Sequence, residues 1–198
     1  NDRNNSTGAE SATMRTKGEK ANVLRNPGWQ LAADAKKINP DLKVSILRWR
    51  TPAWVKKDED RYIWYKQSIL AAYEKYGYMV DYINPNVNEA WSGAGDVKYT
   101  KKFAKWIAAE STATIKDEKA LELFRKIKLV VSDEANVVSD SVAETMKSDQ
   151  EFMDAVDVVG YHYKTADDNN GGMKWLAEVV DKEVWNSEEQ ATFSNSAF

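Results

Sequence analysis

The chain has 198 residues with 28 Lys and Arg against 31 Asp and Glu, 42% apolar and 30% charged, a composition that fits one soluble globular domain. The net charge of −3 argues against nucleic acid, whose binding surfaces are basic, and no apolar run approaches the roughly 18 residues of a membrane span. With no cysteine and one histidine, disulfides, thiolate metal sites and multi-histidine metal sites are excluded; no calcium-loop spacing is visible, so no metal and no cofactor is expected.

Residues 1–27 read as a polar lead-in closed by Pro27-Gly28. Leu31, Ala32, Ala35 and Ile38 predict a helix over 29–38, stopped by Asn39-Pro40. A strand is predicted over 43–49 and broken by Thr51-Pro52; a helix follows over 61–76, with Gly77 as its stop. Further strands are predicted at 79–84, 127–132, 156–161 and 183–187, and further helices at 99–113, 139–147 and 173–180. This alternation implies an α/β fold with a parallel sheet and right-handed crossovers. No GxGxxG or Walker pattern follows any strand, which argues against a nucleotide-binding sheet.

Trp49, Glu89, Asp133, His162 and Glu188 all fall at predicted strand C-terminal ends. A (β/α)8 TIM barrel places its active site there, and a doubly wound sheet uses the same edge. A full barrel needs about 250 residues and eight strands. The five strands predicted here imply an incomplete barrel, lacking two strands before residue 1 and one after Phe198, with open sheet edges. The first residue is Asn and no signal peptide is visible, so the chain reads as processed or cut from a longer protein. Of the eight tryptophans, Trp29, Trp64, Trp106 and Trp175 are expected to fill the core; Trp49, Trp54 and Trp91 fall at strand ends or loops, where site residues concentrate.

Two segments place a glutamate where an apolar run stops: Val87-Asn88-Glu89-Ala90-Trp91 and Val184-Trp185-Asn186-Ser187-Glu188. Glycosidic cleavage needs one carboxylic acid to protonate the leaving oxygen and one carboxylate to meet the oxocarbenium-like centre. The second position is ambiguous from the residues alone, because Glu188 and Glu189 point to opposite faces of an extended chain. His162 and Asp133 have bland readings too, as a hydrogen-bonded structural histidine and a helix N-cap.

Several stretches together carry a resemblance over about residues 1–196: Ala35-Lys36-Lys37-Ile38-Asn39-Pro40-Asp41, Trp49-Arg50-Thr51-Pro52-Ala53-Trp54, Asp81-Tyr82-Ile83 with Asn88-Glu89, Val131-Ser132-Asp133, Val156 to Tyr163, and Trp185-Asn186-Ser187-Glu188-Glu189. The chain resembles the galactocerebrosidase (β-galactosylceramidase) family, glycoside hydrolase family 59 of the clan of retaining barrel enzymes. The resemblance implies a TIM-barrel catalytic domain over 1–198, present as about strands 3 to 7, that cleaves terminal β-galactosides by double displacement. It implies a carbohydrate or glycolipid substrate and a secreted or lysosome-like compartment.

By position, the resemblance assigns Glu89 as acid/base, Glu188 rather than Glu189 as nucleophile, and Asn88 as the residue on the sugar 2-hydroxyl. Trp49 matches a galactose-pocket tryptophan and Ser6 a hydroxyl donor from the loop after strand two; beside the resemblance, His162 or Tyr163 could hydrogen-bond the nucleophile and hold it ionised. Trp91 is similar to a residue that family 30 barrels place after the acid/base. The chain departs from the pattern at Ala53, where the family has glycine, and at Asn84-Pro85-Asn86-Val87, where an apolar strand ending in Trp is usual. These departures leave the aglycone open, with a family 30-like glycosidase or a non-catalytic carbohydrate-binding remnant as the alternatives.

Overall fold

The structure is a computed structural model in which residues 11–162 and 171–188 are described. A short 3-10 turn, Val23–Arg25, leads into helix α1, Pro27–Ile38. Strands and helices then alternate: β1 Ser45–Arg48, α2 Asp58–Tyr76, β2 Tyr82–Val87, α3 Ala94–Ala109, α4 Glu118–Phe124, β3 Lys128–Ala135, α5 Asn136–Ser148, α6 Gln150–Ala155, β4 Val158–His162, α7 Gly172–Glu178 and β5 Glu183–Glu188. The strands form one sheet in the order β1-β2-β3-β4-β5, and β3 to β4 and β4 to β5 are parallel. A doubly wound sheet reverses its strand order at a switch point, whereas a barrel adds strands in chain order. The fold is therefore that of an incomplete (β/α)8 barrel.

Local chemistry sets the helix ends. The Asn26 side chain accepts from Gly28 N, with Pro27 in the first turn, where its missing N–H costs nothing. Asp58, Glu59 and Asp60 crowd the first turn of α2 against the positive end of its dipole, and Gly77 closes it at φ 77°. Asp117 and Asp149 accept from Ala120 N and Phe152 N and so start α4 and α6, two short helices absent from the predicted pattern.

By its contacts the chain divides into two compact units, residues 1–83 with 105–127 and residues 84–104 with 128–198. In the first, Ile69, Ala72 and Phe124 are fully buried. The same unit holds a buried polar group: Lys66 Nζ lies 2.5 Å from Glu110 Oε2, and Tyr62 donates to Glu110 Oε1 at 2.6 Å. In the second, Val131, Val142, Met146, Phe152, Val159 and Leu176 make one apolar cluster. The tryptophans expected in the core stand at its margins, half-buried; Trp175 packs against the second unit's cluster under Lys147. Val, Ile and Phe fill the interior, because an indole is too large to be fully enclosed there.

A repeated device clamps the strand beginnings. Asp81, just before β2, accepts from Val44 N at 2.9 Å and returns its own N–H to Val44 O. Asp157, just before β4, does the same with Leu129 at the start of β3. Before β5 the role passes to Lys182, whose Nζ donates to Val156 O at 2.6 Å.

Strand β2 begins three residues later than expected and runs through Asn84-Pro85-Asn86. Those residues carry the signature of a loop, yet Asn84 and Asn86 are buried. Most of their polar atoms are paired: Asn84 Nδ2 donates to Asp133 Oδ2 at 2.6 Å, Asn86 N to Asn84 Oδ1 and Asn86 Nδ2 to Thr100 Oγ1, while Asn86 Oδ1 has no partner among the described residues. Hydrogen bonding makes this polar strand tolerable in the interior.

Candidate active site

The C-terminal ends of β2 to β5 converge within the second unit. Glu89 follows β2 in the left-handed region at φ 52°, its amide held by Asp133 O at 3.1 Å. Ser132 and Asp133 are left-handed as well, at φ 74° and 49°. Three non-glycine residues in this region mark local strain, which collects at functional sites when the surrounding structure enforces it.

The strain at Asp133 has a clear geometric origin. Between β3 and β4, Ser132 pairs with Gly160 and Glu134 with Tyr161, so Asp133 is an extra residue in a bulge. Between β4 and β5, Tyr161 pairs with Asn186 and His162 with Glu188, so Ser187 is the extra residue there. The two bulged side chains meet, with Ser187 Oγ donating to Asp133 Oδ1 at 2.5 Å. They meet over Gly160, where a Cβ would stand 2.1 Å from Asp133 Oδ1 and 2.8 Å from Ser187 Oγ. Only glycine leaves the space.

His162, at the end of β4, is buried and central. Its Nδ1 lies 3.4 Å from Glu89 Oε1 and 3.8 Å from Glu188 Oε2, and its Nε2 lies 3.9 Å from Asp133 Oδ1. The facing donor atoms of Glu89, His162 and Glu188 are all within 4.8 Å of one another. Such a trio could also hold a cation, although first-row bonds of about 2.0–2.2 Å would require the donors to close in. The carboxylates of Glu89 and Glu188 are 23% and 40% exposed, open enough for a substrate to reach.

Asn88 is buried, and among the described residues neither its Nδ2 nor its Oδ1 has a hydrogen-bond partner. A buried amide left bare on both sides is costly, and a polar ligand is one way of satisfying it.

The Trp91 ring packs on Phe152 at a centroid distance of 6.2 Å, and its amide donates to Glu134 Oε1. Trp49 belongs to the first unit, where it lines a cavity of about 400 Å3 with Trp29, Trp64 and Tyr78. Ser6, Tyr163 and Glu189 lie outside the described residues. The sequence reading assigns no site role to Asn84, Gly160 or Ser187; an Asn pair inside a strand and a glycine in a β-branched run are the available signals.

Known proteins agree with this architecture. Galactocerebrosidase of Mus musculus is 26% identical over 184 residues, covering 88% of this chain and 23% of that protein. Galactocerebrosidase of Salmo salar is 28% identical, covering 88% of this chain and 24% of that protein. The chain thus spans about a quarter of the length of the curated relatives it matches. The crystal structure of SrfJ from Salmonella typhimurium has a similar fold, with a TM-score of 0.63 at 18% identity, covering 89% of this chain and 43% of that one. The family model for glycosyl hydrolase family 59 matches residues 1–197, and the chain belongs to that family.

Proposed function

We propose that the chain carries the catalytic pair of a retaining glycoside hydrolase acting on terminal β-galactosides of a carbohydrate or glycolipid. The observation that carries this reading is the approach of Glu89 and Glu188 to within 4.8 Å across His162. Retaining enzymes hold their two carboxyl groups about 5–5.5 Å apart, whereas inverting enzymes leave about 6.5–9.5 Å for a water. The galactosyl specificity rests on the relatives, which are galactocerebrosidases.

In this mechanism Glu188 attacks the anomeric carbon while Glu89 gives its proton to the departing oxygen. The anomeric C–O bond breaks as the bond to Glu188 forms. Glu89, now ionised, takes a proton from water, which displaces Glu188 and restores both groups. Two left-handed residues, Glu89 and Asp133, set the approach of the acid. His162 faces both carboxylates through one nitrogen and stands where it can exchange a hydrogen bond between them as their charges change. The bare amide of Asn88 supports a contact with the sugar 2-hydroxyl, an interaction that strengthens in the transition state.

Hydrolysis of a nitrophenyl β-galactoside tests the reading. Glu188→Gln is expected to lower kcat by about 10³-fold or more, as loss of a nucleophile does. Glu89→Gln is expected to impair an alkyl galactoside far more than the nitrophenyl one, because nitrophenolate leaves without protonation. Unchanged turnover in Glu188→Gln would overturn the proposal.

A further inference from the structure

Asp133 touches the supports of both glutamates. Its carbonyl accepts from Glu89 N at 3.1 Å, and its carboxylate accepts from Ser187 Oγ at 2.5 Å, one residue before Glu188. Its second carboxylate oxygen accepts from Asn84 Nδ2 at 2.6 Å, and Oδ1 also lies 3.9 Å from His162 Nε2. We propose that Asp133 is a positioning residue that sets the separation of Glu89 and Glu188, acting through the Ser187 bridge over Gly160 and through the orientation of His162. The claim rests on the retaining reading above, but concerns a residue that meets no substrate.

Three features argue that this arrangement is built for position. Asp133 and Ser187 are each displaced from register by a bulge, and bulges next to active sites re-aim side chains. Each displacement serves the other, since the Asp133–Ser187 bond exists only because both strands slip by one residue around β4. Gly160 gives up its side chain to let the bond pass. The buried Asp133 carboxylate also faces His162 Nε2 at 3.9 Å, on the side of the ring away from Nδ1, which faces Glu89 and Glu188. The charged groups facing His162 include Glu89 after β2, Asp133 on β3 and Glu188 on β5.

Ser187 is exposed, so Ser187→Ala removes the Asp133 bond, and with it a longer 3.3 Å contact to Tyr161 O, without opening the core. It is expected to lower kcat about tenfold with KM within about twofold, and Asp133→Asn to lower kcat by about 10²-fold, the scale of a misplacement of about 1 Å. Ser187→Thr, which keeps the donor, is expected to recover most of the Ser187→Ala loss. If Ser187→Ala and Asp133→Asn both keep kcat within about twofold of the unaltered chain, the proposal is overturned. A second readout is independent of turnover. The chain has one histidine, so its imidazole 15N resonances report His162 alone. Ser187→Ala and Asp133→Asn are expected to move those resonances, while the exposed-lysine variant Lys119→Ala leaves them in place. Should Glu188→Gln leave turnover unchanged, the retaining reading falls, and superimposable histidine spectra would then separately overturn the positioning role.

Discussion

Ser187 Oγ donates to Asp133 Oδ1 at 2.5 Å across the bare Cα of Gly160. The bond links β3 and β5 over the intervening β4 and ties the residue before Glu188 to the residue whose carbonyl holds Glu89. Separation of the two glutamates is therefore a property of the strand register as well as of the glutamates themselves.

Gly160→Ala tests this arrangement by volume. The added methyl would meet Asp133 Oδ1 at 2.1 Å, so the carboxylate must leave its place or the strand must move. A loss of about 1–3 kcal/mol in stability, the usual range for overpacking, is expected by urea denaturation. Turnover of the residual folded protein is expected to fall as well, since the Ser187 bond cannot survive the insertion.

Asn88→Ala addresses the bare amide. Interactions with a sugar 2-hydroxyl contribute several kcal/mol at the transition state. Loss of the amide is expected to lower kcat/KM for a nitrophenyl β-galactoside by about 10²-fold, equivalent to about 2.7 kcal/mol. The 2-deoxy substrate, already lacking the partner, is expected to show little further loss in the variant. Equal losses on both substrates would place Asn88 outside the sugar contact.

Glu110 makes stability depend on acid. Burial raises its carboxyl pKa, but hydrogen bonds from Lys66, Thr114 and Tyr62 outweigh that and hold it below the ordinary 4.5. A carboxyl depressed in the folded state stabilises the fold above its unfolded pKa, and that contribution is lost as pH falls through the folded one. Stability is expected to decline as pH drops below about 4.5, and Glu110→Gln to flatten that decline while lowering stability at neutral pH. Thermal melts of both proteins from pH 3 to 7 check the sign (a range chosen to bracket about one unit or more either side of a carboxyl).

Asp157→Ala removes the clamp at the start of β3 and β4. It frees Leu129 N, whose bond to Asp157 Oδ2 is 2.8 Å. A charge-assisted bond of this kind contributes about 1.5–3 kcal/mol. A destabilisation near the lower end is expected because Asp157 is exposed, with kcat unchanged, since the clamp lies at the opposite strand end from Glu89 and Glu188.

Much of the fold was legible because apolar periodicity and turn residues agree. Pro27, Asn39-Pro40 and Gly77 bound α1 and α2 where the pattern places them, and the β-branched runs at Val130-Val131 and Val158-Val159 are strands. Glu89 and Glu188 were legible as strand-end carboxylates. Strand β2 was placed too early because Asn84-Pro85-Asn86 is polar and contains a helix and sheet breaker; its pairing depends on Asp133 and Thr100, residues far along the chain. Helices α4 and α6 are too short to show a period, and their Asp caps are the only local cue. The bulges at Asp133 and Ser187 are register events between strands, which no window of a single strand contains.

Covalent trapping measures the central claim most directly. A 2-deoxy-2-fluoro β-galactoside with a good leaving group slows the second displacement and lets a glycosyl-enzyme accumulate. After digestion, mass spectrometry is expected to find the fluorogalactosyl group on the peptide bearing Glu188, and on no peptide in Glu188→Gln. A galactosidase that hydrolyses its substrate with inverted anomeric configuration and yields no adduct on Glu188 would contradict the account.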